Sequence, residues 1–369
     1  MAGVYFVKRE MCIVEEPKII YSDKKPKKKK KGRHRTLKII AISVLCLILV
    51  MGGTGIFAIN YLLGRINHVD DYVYDNTVIE PEEDQPDYPE GSDVILDGSN
   101  IPIRNGSQGD ITTILLIGSD RRNQQVNGLS DVMILLTVDN AGKTVKMTSI
   151  GRDLYVNIPG RDSTRINHSH SYGGPKLLLD TIEQNLRLKV DKYISVDFSS
   201  FQGIIDRIGG VDIALSEKEA AYLGYTTGAG TYHLTGSRAL SYARIRKIDT
   251  DINRTGRQRE VLNAIQRKAK KMSAGDIITL MYDVLPLVTT NLSKSEILTF
   301  AMDASTFLSY ETQEMVVPAP GTYQGQKIRG MALLVADMPA NIKQMQEFIF
   351  GDFVGPPDET TTQGSTAAE

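Results

Sequence analysis

Ile114-Leu115-Leu116-Ile117-Gly118-Ser119-Asp120 reads as a short buried strand that stops at a turn. Four consecutive apolar residues are too few for a helix, and Gly-Ser-Asp is a composition that ends a strand rather than continues it. Working outward, residues 132–138, 145–150 and 193–196 read as further strands, with later ones at 314–317 and around 331–335. Helical patterns occupy 177–186, 200–208, 254–272, 277–288, 295–307 and 341–350. Such alternation predicts an α/β fold: a three-layer α/β/α arrangement whose central sheet is mixed and largely parallel. In that class ligands collect in loops beyond the carboxyl ends of strands. Gly118-Ser119-Asp120 and Gly151-Arg152-Asp153 both fall at such ends.

The remainder of the chain places this domain. At 369 residues and 41% apolar composition there is material for a sizeable core. The net charge of −1 conceals an asymmetry: residues 24–38 are strongly basic, whereas 70–97 contain acidic residues and no Lys or Arg. Between them, 39–64 carries no charge and exceeds the roughly 20 residues that span a bilayer. It is also longer than the about 7–15-residue core of a cleaved signal peptide, so one transmembrane helix is expected. Positive charge before it and acid after it predict a cytoplasmic amino terminus and an extracellular carboxyl-terminal domain, and an outer domain without cysteine is at home in a bacterial envelope. Cys12 lies in the tail and Cys46 in the span, leaving no disulfide to staple the outer domain. The expected organisation is a basic tail (1–38), the membrane helix (39–64), an acidic flexible stalk (65–109), the folded domain (110–352) and a disordered tail (353–369). The basic cluster is explained by topology and anionic membrane lipids, and no nucleic acid is expected as a partner.

Chemistry concentrates in Arg244-Ile245-Arg246-Lys247-Ile248-Asp249-Thr250-Asp251-Ile252-Asn253-Arg254-Thr255-Gly256-Arg257-Gln258. Guanidinium groups are planar forks matched to phosphate oxygens, so these arginines beside carboxylates suggest a site for a polyphosphate and a metal ion. Arg244 and Arg246 share a face if the backbone is extended, and Arg254 and Gln258 share one if a helix begins near Arg254. Asp251 or Asn253 would then cap a helix amino terminus, a place that favours phosphate. Asp120 and Asp131, at the end of one strand and the start of the next, are the candidate Mg2+ ligands, with turn formation and strand capping as the plainer alternative. Arg121 and Arg122 follow Asp120, and Arg152 ends the third strand. A zinc site built on His168 and His170 would need further ligands that the domain does not offer, so both are expected to make hydrogen bonds. No Walker loop, dinucleotide fingerprint or Gly-x-Ser-x-Gly elbow occurs.

Taken in order, Leu115 to Asp120, Ser130-Asp131, Arg152-Asp153-Leu154-Tyr155, Arg165-Ile166-Asn167 with Tyr172-Gly173-Gly174, Gly209-Gly210-Val211, Tyr242 to Arg246, and Asp251 with Arg254 to Gln258 resemble the LytR-CpsA-Psr family of bacterial envelope phosphotransferases. The resemblance implies transfer of a glycopolymer, a wall teichoic acid or capsule-like polysaccharide, from a polyprenyl-pyrophosphate carrier to a peptidoglycan hydroxyl. It implies Asp120 and Asp131 as Mg2+ carboxylates and Arg122, Arg152, Arg244, Arg246, Arg254 and Gln258 as the pyrophosphate clamp. Asp251 would either accept the acceptor's proton or orient Arg254. Leu129 stands where family members commonly have Arg, and Gly151 where they have Pro. A pyrophosphatase and a non-catalytic binder of anionic wall polymers are the alternative readings. The apolar 277–288 segment is a candidate trough for the lipid, with a buried core helix as its ordinary explanation.

Overall fold

Apolar runs become strands wherever both faces of the sheet are covered. A computed structural model of the chain describes residues 64, 67–68, 88–91, 98–120, 127–245, 248 and 251–356. In chain order its strands are β1 (Asn67–His68), β2 (Arg104–Asn105), β3 (Ile111–Ser119), β4 (Ser130–Asp139), β5 (Thr144–Ile150), β6 (Tyr155–Val156), β7 (Thr164–Arg165), β8 (Leu188–Lys189), β9 (Tyr193–Asp197), β10 (Val211–Leu215), β11 (Gly230–Leu234), β12 (Thr289–Thr290), β13 (Glu311–Val317), β14 (Tyr323–Ile328) and β15 (Met331–Ala336). The helices are α1 (Ile166–Leu186), α2 (Phe198–Arg207), α3 (Glu217–Tyr222), α4 (Gly236–Ala243), α5 (Asp251–Ala269), α6 (Ala274–Val284), α7 (Lys294–Ser309) and α8 (Met338–Phe350). The expected basic tail and membrane helix lie outside the described residues apart from Gly64. Among the described residues, no helix is long and apolar enough to cross a membrane.

The central sheet has the order β1-β12-β9-β3-β4-β5-β13. It is mixed, as expected, but it is not largely parallel. β3, β4 and β5 form an antiparallel meander, while β9 runs parallel to β3, and β13 to β5. The reason is connection length: residues 140–143 suffice for a tight turn, whereas a parallel crossover needs a dozen residues or more. β9, β3, β5 and β13 nevertheless point the same way, so their carboxyl ends and the start of β4 share one rim.

Alternating residues of the meander feed two layers. Leu115, Ile117, Met133 and Leu135 are buried against Leu178 and Ile182 of α1 and Ile342 and Met345 of α8. On the opposite face, Ile114 packs with Ile297 of α7, and Arg259 of α5 reaches Ser149 and Glu314. A second core joins α2, α4 and α5 to the β10–β11 hairpin through Ile205, Val211, Ile213, Leu234, Ala239 and Val261. Close approach of α4 to α2 requires glycine at 236: a Cβ there would lie 2.2 Å from the Gln202 carbonyl oxygen.

Several expected boundaries move for identifiable reasons. α1 is kinked: Gly173 and Gly174 leave helical dihedrals, so a first helical stretch from Ile166 precedes the kink and the predicted 177–186 helix follows it after Pro175. α6 ends at Val284 and passes into a 3-10 turn at Leu285–Leu287, since Pro286 cannot supply the next helical N–H. The 65–109 segment is not simply a stalk. Ile101 is buried in the main core, β2 pairs with β8, and Gly91 N–H donates to the Lys327 carbonyl. Its polar composition hides these few anchoring residues. Residues 357–369 lie outside the described part.

Candidate active site

The β3–β4 turn builds the first half of the site. Gly118 faces Val132 and Ser119 faces Ser130, so the register shifts between them and Asp131 is the extra, bulged residue. A bulge of this kind re-aims the side chain it carries. Asp120 N–H donates to the Leu129 carbonyl at 3.0 Å, closing the ladder one residue beyond β3. Asp120 and Asp131 therefore stand at neighbouring strand ends, as the sequence predicts.

Arg152 follows β5 by two residues and crosses to this bulge. Its Nη1 donates to Asp131 Oδ1 at 3.0 Å, with the arginine side chain only 5% exposed. Its Nε lies 3.3 Å from Asp153 Oδ2, and Asp153 Oδ1 lies 3.3 Å from Arg165 Nε. Arg165 Nη2 in turn donates to the Ala332 carbonyl at 3.1 Å. Four buried or nearly buried charges thus alternate in sign. Burying any one alone would be costly, and alternation is what makes the set tolerable. Gly151 donates its N–H to the Val317 carbonyl at 2.7 Å, a bond proline cannot make. This bond extends the β5–β13 ladder and holds Arg152 against the β13 edge.

α5 supplies the second half from the opposite layer. Arg254 and Gln258, one turn apart, are both buried, and Gln258 Nε2 reaches the Asp131 carbonyl at 3.4 Å. Their shared face is as predicted, although the helix is already formed at Asp251, so Asn253 is not its cap. Arg257 points elsewhere: Nε pairs with Glu219 Oε1 at 2.7 Å and Nη1 donates to the Ile245 carbonyl at 3.2 Å. Burial opposes ionisation of Glu219, but hydrogen bonds from Ser216 and Arg257 outweigh it and hold the acid below its usual range.

Arg244 is not in an extended segment. It terminates α4 as the C-cap residue, and its exposed guanidinium lies 4.5 Å over the Phe198 ring. Phe198 begins α2 directly after β9, so Arg244 reaches the same rim two strands from β4. Asp197 caps that helix, accepting from Ser200 N–H at 2.7 Å and from the Ser199 hydroxyl. Burial raises its pKa, the Ser200 and Ser199 hydrogen bonds lower it more, and the net direction is down. A carboxylate lowered in the folded state stabilises above its ordinary value and loses that contribution as pH falls through the lowered one. Asp197→Asn is therefore expected to flatten the acid limb of a stability–pH curve below about pH 4, measured by chemical denaturation.

Arg122 and Arg246 lie outside the described residues, as do the side chain of Asp251 and those of the neighbouring Ile252 and Asn253. His168 Nδ1 meets the Thr164 hydroxyl at 3.2 Å and His170 Nδ1 meets the Gly128 carbonyl at 2.7 Å, so both serve the loop, as expected. Asp120 and Asp131 supply hard oxygen donors. Among the described residues no three acidic, His or Cys side chains group together as a metal centre. That donor set fits an ion which completes its shell with phosphate oxygens and water, the habit of Mg2+. A cavity of ≈ 310 Å³ lined by Arg104, Asp110, Asp139 and Phe350 opens at the far end of the sheet, away from these groups. Asp153 and Arg165 are not marked by sequence as site residues. Asp153 follows Arg152 within one motif and Arg165 opens the next, Arg165-Ile166-Asn167, but neither is given a role there.

The LytR_cpsA_psr family model matches residues 82–347. The polyisoprenyl-teichoic acid–peptidoglycan teichoic acid transferase TagU of Bacillus mycoides (strain KBAB4) is 31% identical over 232 residues, which cover 61% of this chain and 74% of that protein. The structure of TagT bound to LIIa-WTA aligns with a TM-score of 0.54 at 29% identity, covering 65% of this chain and 91% of that one. The structure of the LytR-CPS2A-psr family protein YwtF (TagT) with bound octaprenyl pyrophosphate lipid aligns with a TM-score of 0.52 at 25% identity, covering 69% and 99%.

Proposed function

This chain belongs to the LytR_cpsA_psr family, and from that premise we propose that it is a phosphotransferase moving a glycopolymer from a polyprenyl-pyrophosphate carrier to a peptidoglycan hydroxyl. The observation that carries the reading is the convergence at Asp131: Arg152 from the end of β5 binds its carboxylate, and Gln258 from α5 binds its carbonyl. With Arg254 buried on the same helical face, basic and acidic groups meet at one sheet rim. The relatives named for teichoic acid transfer, and the related structure holding octaprenyl pyrophosphate, support that class of substrate.

In this reaction the acceptor oxygen attacks the phosphorus that bears the polymer. A new P–O bond forms in line as the bond to polyprenyl phosphate breaks, and the leaving group carries away the electron pair. Arg152, Arg254 and Gln258 would grip the pyrophosphate, with Arg244 at the outer edge of the rim. Arg122 and Arg246 complete the proposed clamp, and Asp251 would accept the acceptor's proton or orient Arg254. Preorganised guanidinium groups stabilise charge that spreads over the bridging and terminal oxygens. Asp120 and Asp131 would hold Mg2+, which when bound supplies further neutralisation of the pyrophosphate. We further propose that 39–64 anchors the chain in the cell membrane, with the domain outside, where carrier lipid and peptidoglycan meet. Ile277, Leu280, Val284 and Leu287, half-buried in α6 and the turn after it, would face the polyprenyl chain.

The test is to incubate the full-length chain with a polyprenyl-pyrophosphate-linked glycopolymer and peptidoglycan fragments, and to analyse products by mass spectrometry. Polymer joined to peptidoglycan through a phosphodiester, with release of polyprenyl phosphate, is expected. Free polymer phosphate alone would assign a pyrophosphatase, and tight binding without turnover a polymer-binding protein.

A further inference from the structure

We propose that Arg165, acting through Asp153, is the positioning residue that aims Arg152 at the substrate's pyrophosphate. The inference deepens the reading of this site as a pyrophosphate clamp and rests on it for its functional consequence. Arg152 has two functional edges. Nη1 donates to Asp131, while Nε lies 3.3 Å from Asp153 as an ion pair without hydrogen-bond alignment, so charge attraction rather than a directed bond ties that edge to Asp153.

Asp153 is itself held from two sides. Arg165 Nε lies 3.3 Å from its Oδ1, and its backbone carbonyl accepts from Leu334 N–H at 2.9 Å. Arg165 is anchored in the β14–β15 hairpin by its bond to Ala332, and its side chain is only 4% exposed. The helix start adds two backbone ties across the same place: Ile166 N–H to the Leu154 carbonyl at 2.9 Å and Asn167 N–H to the Arg152 carbonyl at 3.3 Å. Arg165 therefore stands behind Arg152, with Asp153 between them. A group so placed sets where a guanidinium fork points, and binding of a charged ligand by such a fork depends on that geometry.

The charge order matters as much as the distances. Two arginines this close would repel without the intervening carboxylate, and Arg152 would then lean further onto Asp131. Arg165 offsets the opposite tendency, in which Asp153 would draw Arg152 away from the rim. Arg165 thus keeps Arg152 shared between its two acids.

The experiment uses the full-length chain and four variants: Arg165→Gln, Asp153→Asn, the double variant of both, and Arg165→Lys. Two readouts are taken: affinity for octaprenyl pyrophosphate, and the NMR signal of the Arg152 Nε–H in ligand-free protein. Each single variant is expected to weaken binding about 10-fold or more, and the double variant no further, since both act through Arg152. Arg165→Lys, keeping the charge, is expected to recover part of the loss. The Arg152 Nε–H signal should shift or broaden in Arg165→Gln and Asp153→Asn. An unchanged Arg152 signal overturns the proposal, as do lower melting temperatures with unaltered affinity in the folded protein, and losses that add, which would mean direct contact with the ligand. If the Arg152 signal responds while the unmodified chain binds no pyrophosphate lipid, the positioning role stands and the function proposed for the site falls.

Discussion

Arg152→Ala is expected to lower kcat/KM for polymer transfer by about 100-fold. One charge-assisted contact is worth about 1.5–3 kcal/mol, and each 1.36 kcal/mol in barrier height is a decade in rate. Under the proposed function Arg152 would contribute more than one ordinary contact, since it would meet the ligand while it restrains Asp131 at 3.0 Å. Its removal also leaves two acids, Asp131 and Asp153, facing one another across the vacated space. Arg152→Lys should recover only a fraction, because an ammonium keeps the charge but cannot span Asp131 and Asp153 with a planar fork. A thermal melt of each variant separates loss of fold from loss of chemistry. A change in kcat/KM of under about threefold in folded Arg152→Ala would remove this residue from the clamp.

Arg257→Ala is expected to produce the largest loss of stability. Its guanidinium ties α5 to α3 through Glu219 and to the segment after Arg244 through the Ile245 carbonyl. Glu219 is already committed to the capping box of α3 with Ser216, so it cannot turn to solvent without loosening that helix. Truncating one member of a buried pair leaves the other charge uncompensated, at about 3–5 kcal/mol. For a domain of this size that is a fall in melting temperature of roughly 10 °C, measured by calorimetry. Replacing Arg257 and Glu219 together with apolar residues should recover much of the loss, because it is the orphaned carboxylate rather than the missing attraction that destabilises.

These two arginines show where sequence reasoning reaches and where it stops. Both lie in motifs dense with charge, and composition alone does not tell a guanidinium proposed for the clamp from one that braces the fold. The core strands are legible because 114–117 and 132–138 are largely apolar and 145–150 carries Val145, Met147 and Ile150 in a short segment bounded by turn residues, and that signal survives without tertiary knowledge. The largely parallel pairing expected of those strands fails because orientation depends on connection length. The β10–β11 hairpin is hidden for a different reason. Val211–Leu215 alternates cleanly, but its partner Gly230–Leu234 is short and follows a Gly/Thr-rich loop, and a hairpin needs both halves to be recognisable.

At the site, the shared face of Arg254 and Gln258 follows from helical periodicity, and the strand-end positions of Asp120, Asp131 and Arg152 follow from strand boundaries. The condition for Arg244 and Arg246 to share a face, an extended backbone, is not met at Arg244, because it terminates α4, a helix of only eight residues that begins with glycine, a weak helical signal. Asp153 and Arg165 escape notice because their roles depend on a third residue between distant elements. No single-residue pattern records that Arg165 leans on Ala332, which lies 167 positions away.

The bulge at Asp131 carries one more consequence, for how such a chain can drift over time. Because successive strand residues face opposite layers, deleting the bulge residue would let Ser130 and Val132 close into a regular ladder and leave no acid at that place. Substitutions along β4 can be absorbed singly by repacking, but a change of one codon in length cannot. The site therefore depends on the count of residues from Ser130 to Val132 as well as on the acid at 131.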